Sequence, residues 1–257
     1  MLLLDLWFRG LNKYRRSMSN SFGCRPFPMS SNVPYISFTF DDFPRTAFLT
    51  GGAILKRFGV RGTYYLSFGL MGTPTPVGEI VSKDDLRHVV GEGHELGCHT
   101  YDHYEPWKTH PKVFEVSILK NRQMLSETLL KSKFTSFAYP KTKPKPKIKR
   151  MLGKYFSCCR GGGQEYNTGM LDLNLLKGYF LDKRLRNSFS EIKEIIDRNV
   201  ASNGWLIFGT HDIVKDCSPY GCPPKDFEKI VRYAVESRAQ VLPVEQACKA
   251  LNIPLLS

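Results

Sequence analysis

Apolar and polar positions alternate over Tyr35-Ile36-Ser37-Phe38-Thr39-Phe40, and the run stops on two carboxylates, Asp41 and Asp42. Such a run predicts a buried strand whose neighbouring side chains face opposite ways. Two consecutive acids do not fit inside a packed sheet, but at a strand's C-terminal end both can reach one mouth. Similar patterns predict strands at 61–66, 94–98, 134–139, 155–159, 178–182, 205–210 and 239–242. Between them, helical periodicity covers 46–58, 83–91, 111–130, 144–153, 188–202, 224–238 and 244–250. Strand-like and helix-like stretches therefore alternate from Val33 onward. That order predicts an α/β fold with a parallel sheet and right-handed crossovers. About seven such units suggest a closed or nearly closed barrel, with a doubly wound open sheet as the alternative. Both architectures collect chemistry at the C-terminal ends of their strands.

The length of 257 residues suits one large domain or two small ones. No repeat or low-complexity linker divides the chain, so residues 1–32 read as an N-terminal leader and 33–257 as one domain. The leader is apolar for only a short stretch, interrupted by Asp5, and its basic residues follow rather than precede that stretch. This is not the layout of a secretory signal. It fits a helix docked on the domain, a loose leader, or a membrane-interfacial segment inserting Trp7 and Phe8. Seven cysteines, an odd number without a Cys-x-x-Cys pair, argue against a zinc ribbon or a disulfide framework and favour a reducing compartment.

The formal charge of +13 suggests an anionic partner: a phosphorylated or lipid-linked substrate, a membrane surface or nucleic acid. The densest basic run, Lys141 to Arg150, carries two prolines and reads as an extended or turning loop, either solvated or binding, that leads into the 144–153 helical pattern. No aromatic-interleaved basic stripe supports a specific nucleic-acid function.

Three strand ends carry candidate chemistry. The first is the Asp41–Asp42 pair, which as an isolated feature is also ordinary loop or helix-cap chemistry. The second is Cys98-His99-Thr100-Tyr101-Asp102-His103, whose two imidazoles are four residues apart. The third is Trp205-Leu-Ile-Phe-Gly-Thr-His211-Asp212. A lone histidine at either place is more often a surface or strand-end residue. Together the three clusters offer one carboxylate and two imidazoles for a metal with open positions, leaving a second carboxylate and a third histidine for proton transfer. That is a parts list for metal-assisted hydrolysis of an amide or ester.

The segments Thr39-Phe40-Asp41-Asp42, His99-Thr100-x-x-His103, Phe137-Ala138-Tyr139-Pro140 and Thr210-His211-Asp212 resemble, in order and spacing, the signatures of the polysaccharide deacetylase family, carbohydrate esterase family 4. The resemblance spans roughly residues 33–246. It implies a distorted, incomplete (β/α) barrel and removal of N- or O-acetyl groups from sugars. It further implies Asp42, His99 and His103 as metal ligands, Asp41 as general base, His211 as general acid and the Lys141 backbone N–H as an oxyanion donor. The implied cofactor is a divalent metal, zinc first, with cobalt, nickel or manganese as alternatives.

The chain also departs from the pattern. Family members often carry an arginine near the 137–140 segment, paired with the base; none stands here. Arg160, after the next strand-like stretch, is the candidate to replace it. Lys141 and Thr142 occupy the places of a common aromatic and glycine. Asp172 and Asp182 are the candidates for orienting His211. Gly209 stands where a hydrophobic residue is usual, so an acyl pocket there would be larger or filled from elsewhere. The leading expectation is a deacetylase of a sugar or glycan, phosphate- or lipid-linked or a neutral polymer, cytoplasmic or peripheral to the membrane's inner face. Hydrolysis of a non-sugar C–N bond and a catalytically silent glycan-binding module are the competing readings.

Overall fold

The computed structural model describes residues 2–130 and 132–256, and the side chains from residue 10 onward. In chain order the elements are α1 (Leu2–Ser21), β1 (Pro26–Pro28), β2 (Tyr35–Phe40), α2 (Ala53–Arg57), β3 (Thr63–Leu66), β4 (Pro74–Thr75), β5 (Gly78–Glu79), α3 (Lys83–Gly91), β6 (Glu95–Cys98) and α4 (Pro111–Thr128). There follow β7 (Ser136–Ala138), α5 (Pro146–Leu152), β8 (Cys158–Arg160), β9 (Met170–Asp172), β10 (Tyr179–Phe180), α6 (Phe189–Ala201), β11 (Trp205–Thr210), α7 (Pro224–Glu236), β12 (Gln240–Val241) and α8 (Val244–Ala250).

The main sheet is parallel, in the order β10-β11-β2-β3-β6-β7-β8, with β12 pairing the N-terminal half of β2. It curls into an incomplete barrel of the kind the alternation implied. The gap between its edges is partly bridged: Arg160 of β8 pairs with Leu176, and Gln164 N–H donates to the Gly178 carbonyl just before β10. Every residue of β2 is buried. Its alternation places Ile36, Phe38 and Phe40 in the larger apolar core and Tyr35 in a second core with Trp205, Leu171 and Val244. The polar residues between are satisfied in place: Ser37 Oγ accepts the Trp205 indole N–H at 3.0 Å, and Thr39 Oγ1 donates to the Phe208 carbonyl at 2.7 Å.

Two expectations need correction. The helix expected over 46–58 begins as a wider π-type turn, Ala47–Gly52, before α2. A Cβ on Gly51 would approach the Phe40 ring and Ile213 to about 3 Å, so this turn packs with glycine directly onto β2. The basic run does not stay a loop: its second half is helix α5, with Pro146 at the first turn, where its missing N–H costs nothing. Nor is that run uniformly solvated, because Lys149 is fully buried against Asp172 and the Ser19 carbonyl.

Most of the leader forms α1. It is docked through Ser19, whose hydroxyl donates to the Pro144 carbonyl at 2.6 Å. The side chains of Trp7 and Phe8, the expected membrane-interface pair, lie outside the described residues. No helix among those described is long and apolar enough to cross a membrane.

Candidate metal-dependent active site

Every proposed site residue lies at, or just beyond, the C-terminal end of a parallel strand. Asp41 and Asp42 follow β2, His99 and His103 follow β6, Lys141 follows β7, Arg160 ends β8 and His211 follows β11. The sheet order puts β11, β2, β3 and β6 side by side, which brings three of the acid- and imidazole-bearing ends to one mouth.

Asp42, His99 and His103 each offer a ligand atom within 4.8 Å of the others. Asp42 Oδ1 lies 3.1 Å from His103 Nε2 and 3.4 Å from His99 Nε2. His99 Nδ1 is 2.8 Å from the Ala138 carbonyl. As the donor in that contact, Nδ1 carries the proton and Nε2 presents its lone pair to the mouth. Asp42 Oδ1 is buried and has no hydrogen-bond donor. Burial alone would raise its carboxyl, yet the His103 and His99 contacts hold it well below the ordinary carboxylate range. A buried carboxylate oxygen without a donor, 3.1 and 3.4 Å from two imidazole nitrogens, is the donor set a divalent cation takes once those nitrogens are deprotonated. The residues present therefore fit a metal, and a divalent-metal triad is a property of this chain.

Asp41 is divided from its neighbour by its partner. Its carboxylate is buried and accepts a hydrogen bond from Arg160 Nη2. Burial pushes Asp41 up, but Arg160, then His99 and His211, bring it below its ordinary value. The Arg160 guanidinium lies between the Tyr65 and Phe180 rings, 5.1 and 5.0 Å from their centroids, and donates to the Gly161 carbonyl at 3.2 Å. An arginine supplied by β8 thus occupies the position of a carboxylate partner. Tyr65 and Phe180, which hold it flat, carry no local motif and were not legible in the sequence.

His211 Nε2 is 3.9 Å from Asp42 Oδ2, on the opposite side of the mouth, and its Nδ1 is 3.3 Å from the Tyr220 carbonyl. Of the two acids suggested to orient it, Asp172 belongs elsewhere: it accepts from the Arg25 and Asn174 N–H groups and pairs with Lys149. Asp182 lies near His211, buried and raised by burial, with one oxygen on Arg184 and the other without a donor. Asp212 is occupied by Ser218. Asp102, inside the second cluster, turns away to accept from Ser117 at 2.7 Å.

Backbone strain is concentrated here. Asp42, Phe43, Thr100, His103, Lys141 and Thr142 all have φ between 52 and 64° without being glycine. Such residues persist only where surrounding structure overdetermines them, and they gather at functional sites. The Lys141 turn leaves that residue's N–H without an acceptor among the described residues. At Gly209, the space of a missing side chain is filled: a Cβ there would meet the Phe180 ring at 2.9 Å. Of the two outcomes expected for Gly209, the pocket is filled from elsewhere.

This geometry is that of a deacetylase-type metal hydrolase, and the sequence agrees. Residues 29–155 match the family model for polysaccharide deacetylase, and the chain belongs to that family. No curated protein matches it significantly. Among solved structures, a family 4 acetyl xylan esterase from Clostridium thermocellum in complex with a cobalt ion is similar at 16% identity and TM-score 0.59, covering 86% of this chain and 93% of that one. A peptidoglycan deacetylase from Bacillus subtilis is similar at 14% identity and TM-score 0.55, over 86% and 92% of the two chains. A family 4 pseudoenzyme from Bacillus anthracis is similar at 13% identity and TM-score 0.58, over 84% and 66%. At these identities the likeness is one of fold. Triad and family together support metal-dependent hydrolysis of amide or acetyl groups.

Proposed function

We propose that this chain removes an acetyl group, N-acetyl in preference to O-acetyl, from a sugar or glycan. The observation that carries the reading is the division of the two adjacent acids: Asp42 faces two imidazoles, while Asp41 faces an arginine. Asp42, His99 and His103 would hold the metal, with zinc favoured by the mixed imidazole and carboxylate donors. A divalent ion there would supply Lewis acidity to the acetyl carbonyl and acidify the attacking water. Asp41, kept ionised and oriented by Arg160, accepts the water's proton. The Lys141 N–H, unpaired and held by the turn after β7, donates to the oxygen that gains charge during attack. His211, across the mouth, delivers a proton to the departing nitrogen, which an amine leaving group requires.

Placement in the cytoplasm or against the inner face of a membrane is part of the proposal and rests on cysteine usage and positive charge. The test is acetate release from a panel of N- and O-acetylated sugars, with metal content measured on the same protein. Bound metal, release from N-acetyl sugars, and loss of release in Asp41→Asn and His211→Ala support the reading. A metal-free protein whose residual activity is unchanged in those variants overturns it. The pseudoenzyme among the structural neighbours makes this control necessary.

A further inference from the structure

The groove beside the reaction centre holds more positive charge than the proposed chemistry uses. A cavity of about 850 Å³ begins at Phe180 and Asp182, which flank Arg160 and His211, and passes Thr142 and Lys143 to reach Arg16 of α1. Lys177 stands on its wall. The carboxylates around it are already paired: Asp182 with Arg184, Asp172 with Lys149 and Glu165 with Arg198. Arg15, next to the groove, is answered by Glu105 at 3.6 Å and by the Trp107 ring. Among the described residues, no carboxylate lies at ion-pair distance from Arg16, Lys143 or Lys177. Lys143 is half-buried, and burial followed by the charges of Arg16 and Arg15 pushes its ammonium below the ordinary lysine range.

Lys143 feels the like charge of Arg16, and Lys177 adds a third cation to the same groove wall, so the groove is most stable when it holds an anion. The backbone fixes the arrangement. Lys143 N–H closes a tight turn onto the Lys141 carbonyl at 2.8 Å, and the next residue, Pro144, accepts from Ser19. Lys149 then ties the Ser19 carbonyl to α5 at 2.6 Å. The loop that offers the Lys141 N–H to the reaction is therefore the loop that joins α1's cations to the groove.

We propose that Arg16, Lys143 and Lys177 form a subsite for a phosphate group carried by the substrate, one loop away from the deacylation centre. A guanidinium and two ammonium groups match the several acceptor oxygens of phosphate. Thr168, exposed on the same groove, suits a sugar hydroxyl, while Gln164 and Asn167 beside it are spent on the backbone of Phe180, Lys177 and Trp205 and fix the groove's shape. The inference rests on the sugar-deacylase reading and narrows it to anionic sugars, in place of neutral polymers.

The test is binding of three probes to the full chain: inorganic phosphate, uridine diphosphate, and phosphatidylcholine vesicles with or without phosphatidic acid. The expected result is saturable binding that weakens at least ~tenfold in Arg16→Gln/Lys143→Gln, as for loss of two charge-assisted contacts. Lys225→Glu on α7 should bind as the parent does, and so should Asp42→Asn, which excludes capture by the metal. Preference for uridine diphosphate would indicate a soluble sugar nucleotide, and preference for phosphatidic acid a lipid-borne phosphate; either supports the subsite. Equal affinity in the double variant, or no saturable binding of any probe, overturns it. Acetate release from N-acetylglucosamine 1-phosphate against N-acetylglucosamine separates the two proposals. Phosphate binding that needs these residues without deacetylation leaves the subsite and sinks the deacylase reading. Equal turnover of both sugars with indifferent binding does the reverse.

Discussion

Strand β6 has a buried polar cluster at each end, and the two are built on opposite rules. At its start, Glu95 accepts from Thr63 Oγ1 at 2.8 Å, Ser136 Oγ at 2.6 Å and the Glu245 N–H at 2.8 Å, while Thr63 Oγ1 accepts from the Val244 N–H. Both Glu95 oxygens and both hydroxyls have partners, and the network ties β3, β6 and β7 to the first turn of α8. At its other end, His99 faces Asp42, whose inner oxygen has no donor, among left-handed residues that strain the backbone. A network with its valences filled holds a barrel together; one with an open valence is waiting for a ligand. The sheet itself supplies the rigidity that the strained end needs.

If that contrast is right, mutations at the two ends separate activity from stability. The largest effect belongs to the mouth. Asp42→Ala and His99→Ala should lose bound metal and essentially all acetate release, and Asp41→Asn or His211→Ala should lower kcat by on the order of 10²–10⁴. Asp41→Asn should also lose stability, because it leaves the buried Arg160 guanidinium unpaired. Compared with the parent in chelator, so that bound metal adds nothing to either, Asp42→Ala, His99→Ala and His211→Ala should melt close to it. A collapse of stability in these variants would erase the distinction. Arg160→Met comes next. It should leave metal content intact and lower kcat, while costing ~3 kcal/mol or more of stability, since it leaves the buried Asp41 charge uncompensated. Metal content and urea melts on one sample measure both. Glu95→Ala should do the opposite of the ligand variants. It strands two hydroxyls and a backbone N–H and should cost ~2–4 kcal/mol, with kcat per folded molecule close to normal.

The mouth was far more legible in the sequence than the base. Its strand ends carry chemically distinctive residues at fixed spacing, so Asp42, His99, His103 and His211, each ordinary alone, stand out when the three clusters are read together, and the fold follows from the alternation around them. Arg160 was reachable only by noticing a missing arginine, because its contact with Asp41 spans 119 residues of chain. Tyr65 and Phe180, which hold that arginine, look like any strand aromatics. The Glu95 network was invisible for a similar reason: an acid opening the run Glu95-Leu-Gly-Cys98 reads as a solvated strand end, and nothing local announces that α8 will cover it. The short antiparallel pairs β1–β9 and β4–β5 were also missed, since two- and three-residue strands are below the reach of periodicity.

The smallest effect sharpens the comparison within the base itself, where Glu95, which opens β6, and His94 just before it are pushed in opposite senses. Burial pushes the Glu95 carboxyl up to about 7 from an ordinary 4.5. The native state then holds a proton that the unfolded chain releases, so Glu95's contribution is greatest below pH 4.5 and is lost as pH rises to about 7, roughly 3 kcal/mol in all. His94 is also buried, and burial lowers it to about 4 from 6.5. Its Nδ1 accepts the Gly62 N–H at 3.0 Å, which requires the neutral ring. Here the unfolded chain binds the proton first, so this contribution is complete above pH 6.5 and is lost as pH falls towards 4. Between about pH 4.5 and 6.5 the two slopes cancel, and the pair adds almost no pH dependence. Breaking either one should expose the other. Relative to the parent, Glu95→Gln should gain stability as pH rises from 4.5 to 7, and His94→Phe should gain it as pH falls from 6.5 to 4. Urea melts across that range on the three proteins measure the differences. Two parallel curves would mean that neither group is held away from its ordinary pKa, and that the base of the sheet is wetter than its packing implies.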